Sequence, residues 1–214
     1  IEYVTTHSED AKNGNPFFLY LPLPAPHTPI VPIAPFRDAS GINPYADFVM
    51  QVDHLMGRLL DCLQEEGLEK NTLVIFTSDN GCSPQANFEV LKEHGHDPSS
   101  IYRGHKADIF EGGHRVPFIV KWPEHIQPGT VTPGLMCHTD VYATLEEIVG
   151  DVGQSGGGED GFSLLPILNG EEQSARKGLV SHSIGGSFAI RDGDWKLCLC
   201  YGSGGWSVPK EKQA

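Results

Sequence analysis

Three short polar segments of this 214-residue chain carry side chains suited to breaking a polar bond. Asp79-Asn80-Gly81 follows the apolar run Leu73-Val74-Ile75-Phe76-Thr77 and sets a carboxylate beside an amide carbonyl. These are hard oxygen donors of the kind Ca²⁺ and Mg²⁺ prefer, and the glycine permits the turn that aims both the same way. Pro26-His27-Thr28-Pro29 follows another apolar run and holds an imidazole between two prolines, as a proton donor or an anion-binding group requires. The third segment runs from Gly104-His105-Lys106 to Glu111-Gly112-Gly113-His114-Arg115-Val116-Pro117. In it Lys106 is a point charge able to meet an anionic oxygen, and Glu111 with Arg115 reads equally as an ion pair that orients the loop. Taken singly, each segment also has an ordinary reading: a turn, a solvated loop histidine, a surface lysine.

The elements that must position these groups follow from periodicity. Residues 17–21, between Pro16 and Pro22, read as a buried strand, and six prolines between Pro22 and Pro35 make the next stretch stiff and irregular. Asn43-Pro44 reads as an N-cap with proline at the first helical position. Behind it Tyr45, Phe48, Val49, Val52, Leu55, Met56, Leu59, Leu60 and Leu63 keep a helical period to about Gly67. Residues 73–77 and 116–121 read as strands, 82–102 as aperiodic and polar, and Thr139 as the cap of a helix reaching Val149. Strand and helix in alternation predict an α/β fold, with a mixed, largely parallel sheet flanked by helices. In such a sheet ligands bind beyond the carboxyl ends of the strands, where Asp79 and Asn80 sit. Glycine-rich residues 154–161 mark a loop or boundary. After them short runs at 179–184, 188–191 and 195–200, separated by Gly185-Gly186 and Asp192-Gly193, predict a small antiparallel sheet. The expected domains are 1–153 and 154–214.

Composition excludes several classes. The net charge of −13 is spread along the chain and argues against nucleic-acid binding, so an anionic substrate needs a locally basic pocket. No apolar run has the length of a membrane span. Five cysteines, none in a Cys-x-x-Cys pair, indicate neither a complete disulfide framework nor a zinc knuckle. His94-Gly95-His96 lacks the i, i+4 spacing of common zinc pairs. Cys198 and Cys200 share one face of an expected strand and read as buried. The start at Ile1, inside what reads as a helix tail, implies a chain that begins mid-protein.

Read together, and in this order, these segments resemble the sulfatase family of the alkaline-phosphatase superfamily. The resemblance rests on a strand into Pro26-His27-Thr28-Pro29, a strand into Thr77-Ser78-Asp79-Asn80-Gly81, Gly104-His105-Lys106 leading to Glu111-Gly112-Gly113-His114-Arg115-Val116-Pro117, and a late Arg191-Asp192-Gly193-Asp194-Trp195-Lys196-Leu197. It implies an alkaline-phosphatase-like fold, present here in part. It implies that Asp79 and Asn80 are two ligands of a divalent cation, most often Ca²⁺ with Mg²⁺ as the alternative. It implies further that Lys106 and His27 contact the sulfate group and the bridging oxygen of the leaving alcohol. The substrate would be an aryl or carbohydrate sulfate ester, and the location periplasmic or secreted.

The family's nucleophile is a formylglycine made from cysteine in a Cys-x-Pro-Ser-Arg-type motif. Cys82-Ser83-Pro84-Gln85-Ala86 begins similarly, but Gln85 and Ala86 replace the serine and arginine, so it is not read as a modification site. The family's N-terminal pair of aspartates and its Lys-x-His segment are also missing from these residues, so these 214 residues alone are expected to be catalytically silent. Two other readings stay open at this stage: a phosphodiesterase or phosphonate monoester hydrolase of the same superfamily, and a non-catalytic protein that binds sulfated glycans.

Overall fold

The computed structural model describes residues 1–153, 157–171 and 174–208. The chain folds as two compact units, residues 1–106 with 110–122, and residues 107–109 with those from 123 onward. The break after Trp122 differs from the boundary expected at 153. The reason is Asp140, which accepts hydrogen bonds from the Phe162 N–H and the Arg176 guanidinium and so binds the helix around it to later residues. Residues 154–156 of the glycine-rich stretch lie outside the described residues.

In the first unit, α1 (Glu2–Lys12) presents Val4 and Ser8 to the interior one turn apart. Helix α2 (Pro44–Glu65) begins as its sequence predicts, with Asn43 Oδ1 accepting from the Ala46 N–H at 2.9 Å. It ends in a Schellman turn. Leu68 N donates to Leu63 O at 2.8 Å and Gly67 N to Gln64 O at 3.0 Å, with Gly67 at φ +69°. That turn folds Leu68 back beside Leu63 in a core shared with Val4 and Cys62, against which Phe17, Leu59 and Val74 pack. Full burial of one such leucine stabilises by about 1.5–3 kcal/mol. Among the described residues no helix is long and apolar enough to cross a membrane.

The α/β class is observed, with a difference in strand direction. Strand β1 (Val74–Thr77) pairs antiparallel with β2 (Phe118–Lys121), from Val74 opposite Lys121 to Thr77 opposite Phe118. The expected parallel pairing is therefore not the one between these two strands; a mixed sheet accommodates an antiparallel pair. Residues 17–21 form no ladder, and Phe18, Tyr20 and Leu21 are exposed. The stretch expected to be aperiodic contains a short helix, α3 (Phe88–Glu93), entered through Asn87 at φ +62°. Its signal was hidden by its length of six residues. A further turn of helix, α4 (Glu111–His114), leads to β2.

In the second unit, α5 (Thr139–Val149) closes at Gly150 in the left-handed region. The Asp140 carboxylate in its first turn accepts from Cys137 N at 2.8 Å, and the N-cap is His138 where Thr139 was expected, Thr139 being the first helical residue. The predicted C-terminal sheet is present as β3 (Gly178–His182), β4 (Phe188–Asp192) and β5 (Trp195–Cys198), antiparallel in the order β3-β4-β5, after a short helix α6 (Leu165–Leu168). All five cysteines are free thiols; Cys62 is buried and Cys198 and Cys200 are half-buried.

Candidate active site

Asp79 and Asn80 leave the carboxyl end of β1, and the antiparallel ladder sets that end beside the start of β2. Thr77 Oγ1 accordingly donates to Pro117 O at 2.9 Å, and Gly81 N to Gly113 O at 3.0 Å. Asp79 is exposed and Asn80 half-buried, and Ser78 Oγ donates to Asn80 O at 3.0 Å, which tightens the turn.

Three glycines bring this turn against the Lys106 segment. A Cβ built on Gly81 would overlap the carbonyl oxygen of Gly112 and lie 2.8 Å from its carbon. One built on Gly112 would overlap the oxygen of Gly104 and lie 2.7 Å from its carbon. Gly112 is thus a backbone spacer between the Asn80-Gly81 turn and Gly104, and its own N–H donates to Arg103 O at 2.8 Å. The ring closes where Lys106 N donates to Cys82 O at 2.9 Å. Since Lys106 O can only accept, His105 Nδ1–H donates to it at 3.0 Å, and the peptide groups on both sides of Lys106 are held. Among the described residues no ion pair or hydrogen bond engages the Lys106 ammonium.

Cations around this loop rest on aromatic faces. The Arg103 guanidinium lies 3.9 Å over Phe110, and that of Arg115 lies 4.8 Å over Tyr102, with Glu111 3.8 Å from Arg115 as the expected local pair. His27 is exposed and its bonds are local. Its backbone N–H donates to Pro24 O at 3.0 Å, and its ring Nδ1–H to Thr28 O at 2.7 Å. The second bond fixes the tautomer, with the proton on Nδ1. The structure therefore joins Asp79-Asn80 and Lys106 through one backbone ring, whereas the bonds of His27 among the described residues stay within its own loop, to Pro24 and Thr28.

The donor chemistry of Asp79 and Asn80 fits a hard divalent cation, though only as part of a shell of six to eight oxygens. Among the described residues no group of three or more His, Cys, Asp or Glu side chains is placed to hold a metal ion, so the remaining ligands would come from elsewhere. The spacing of His94, His96 and His105 assembles no zinc site among these residues. Sequence reading overlooked Gly81 and Gly112 as spacers and Cys82 as the partner of Lys106. Paired glycines were the available signal; which carbonyls they would face was not encoded locally.

The sulfatase family model matches residues 2–150. An N-acetylgalactosamine-6-O-sulfatase of Bacteroides thetaiotaomicron is 34% identical over 200 residues, covering 91% of this chain and 37% of the relative. Human arylsulfatase A is 34% identical over 190 residues, 86% of this chain and 36% of the relative. A solved sulfatase structure from work on glycosaminoglycan metabolism by Bacteroides thetaiotaomicron superposes with a TM-score of 0.84 at 30% identity, covering 99% of this chain and 43% of that one. The chain thus spans little more than a third of the length of the curated relatives it matches. On the family match and these likenesses, the chain belongs to the sulfatase family.

Proposed function

We propose that the protein containing this chain hydrolyses sulfate esters, with a carbohydrate sulfate as substrate. The observation that carries the reading is the backbone ring that seats the Asp79-Asn80 turn and Lys106 on one another. The carbohydrate class is supported by the relative named for N-acetylgalactosamine-6-O-sulfatase activity.

In this reading Asp79 and Asn80 hold a divalent cation, Ca²⁺ by preference. When bound, the cation polarises a sulfate oxygen as a Lewis acid. The nucleophile, a formylglycine in this family, is not supplied by these residues. Lys106 and His27 contact the sulfate and the bridging oxygen, where negative charge develops as the S–O bond breaks. Lys106 brings an ammonium on a backbone that is anchored on both sides, which sets where the side chain starts. His27 contributes Nε2, its other ring nitrogen being committed to Thr28 O.

The test is turnover of an aryl sulfate and of a 6-sulfated N-acetylgalactosamine by the full-length protein, beside its Lys106→Ala and His27→Ala variants. Hydrolysis by the parent that falls about 10²- to 10⁴-fold in kcat in each variant is the expected result. Release of phosphate from a phosphodiester or phosphonate ester with no sulfate release would replace this reading. Binding of sulfated glycans without turnover of any sulfate ester would likewise do so.

A further inference from the structure

The Cys82 segment, set aside as a modification site, has a different place in the structure. Cys82 Sγ–H donates to Tyr45 Oη at 3.2 Å, across 37 residues of sequence. Tyr45 lies in the first turn of α2, immediately after the Asn43 cap and Pro44. Asn43 itself bonds in two directions, since its Oδ1 caps α2 and its Nδ2 donates to Ala86 O at 3.0 Å. The stretch from Cys82 to Ala86 is therefore docked at both ends on the N-terminus of a 22-residue helix. The carbonyl of that same Cys82 receives the Lys106 N–H at 2.9 Å, and its neighbour Gly81 is bonded to Gly113.

We propose that Cys82 and Tyr45 are a positioning pair, which locks the backbone that carries Asn80 and receives Lys106 onto the start of α2. The inference rests on the sulfate-ester reading above and deepens it. Helix α2 is the rigid body in this arrangement, being capped at one end and closed by a Schellman turn in the core at the other. The turn and the Lys106 segment are irregular backbone, which a few contacts must hold. Neither side chain is assigned contact with substrate; the pair acts through the Cys82 carbonyl and the Lys106 N–H.

The test uses the full-length protein and an aryl sulfate, with Cys82→Ala, Cys82→Ser, Tyr45→Phe, the double variant Cys82→Ala/Tyr45→Phe, and Lys106→Ala as reference. Loss of the bond is expected to lower kcat about three- to tenfold in Cys82→Ala and Tyr45→Phe, with KM changed less than about twofold. Cys82→Ser, which keeps a donor, should stay within about twofold of the parent, and the double variant should be no worse than the poorer single one. Thermal midpoints recorded on the same samples separate placement from folding. A lower midpoint with kcat per folded molecule unchanged overturns the proposal, as does equal loss in Cys82→Ser and Cys82→Ala. If Lys106→Ala cripples turnover while Cys82→Ala does not, the positioning pair alone fails. If Lys106→Ala leaves turnover intact, the reading beneath it fails as well.

Discussion

Asp79 and Asp47 are both aspartates near an end of a regular element, yet only one is free to take a ligand. Asp79 is exposed and makes no bond among the described residues. In the full-length protein Asp79→Ala should therefore weaken Ca²⁺ binding at least about tenfold while barely moving the melting temperature, since affinity in oxygen sites rises with ligand charge. Unchanged Ca²⁺ occupancy by metal analysis would remove Asp79 from the ligand set. Asp47, 3% exposed, is already spent: it accepts from Asp38 N and Ser40 N at 2.8 Å each and from Ser40 Oγ at 2.6 Å. Asp47→Ala should cost about 2 kcal/mol, because it leaves those donors unpaired. The Ser40 hydroxyl first, then the backbone donors, hold the Asp47 carboxyl below its ordinary value. Since the folded state binds that proton less tightly, the contribution is full above about pH 4 and is lost as pH falls through the lowered value. Denaturation curves of parent and Asp47→Ala should thus converge as the solution is acidified from pH 5 to pH 2.

At the scale of the element, strand direction decides where the chemistry lies. Antiparallel pairing of β1 with β2 sets the segment entering β2 beside the segment leaving β1, and so Gly104–Arg115 meets Asp79-Asn80. Parallel pairing would have set the approach to β2 at the opposite end of the ladder. The spacer at this junction tolerates no side chain. Gly112→Ala must push Gly104 away by roughly an ångström to restore ordinary contact, and a displacement of that size costs about 10²-fold in rate where charges are prepositioned. Overpacking adds about 1–3 kcal/mol of destabilisation. The check is kcat at a temperature well below the variant's melting point, and parent-like turnover there would show that the spacing is immaterial. In the second unit the corresponding anchor is electrostatic. Asp140 is fully buried and pairs with Arg176, whose guanidinium it holds above its ordinary range. Asp140→Ala should cost about 3–5 kcal/mol through the cation left without its partner, read as a shift in the unfolding midpoint.

For the molecule as a whole, the 214 residues alone are predicted not to turn over sulfate esters, because no cysteine in them heads a Cys-x-Pro-Ser-Arg-type sequence. Sulfate release by the purified chain would contradict that. Much of this was legible in the sequence. The Asn43-Pro44 cap, the apolar period of α2 and the three-stranded C-terminal sheet are local patterns, and local patterns survive folding because neighbouring residues satisfy them. The polar motifs were legible as well, through residue type and order. The sequence by itself determined which groups are present and which strands and turns precede them. Only the tertiary structure decided that β1 runs against β2, that Gly112 stands between Gly81 and Gly104, and that a tyrosine on α2 reaches Cys82. Strand direction, close backbone approach and a bond across 37 residues all depend on partners far along the chain, which no local period encodes.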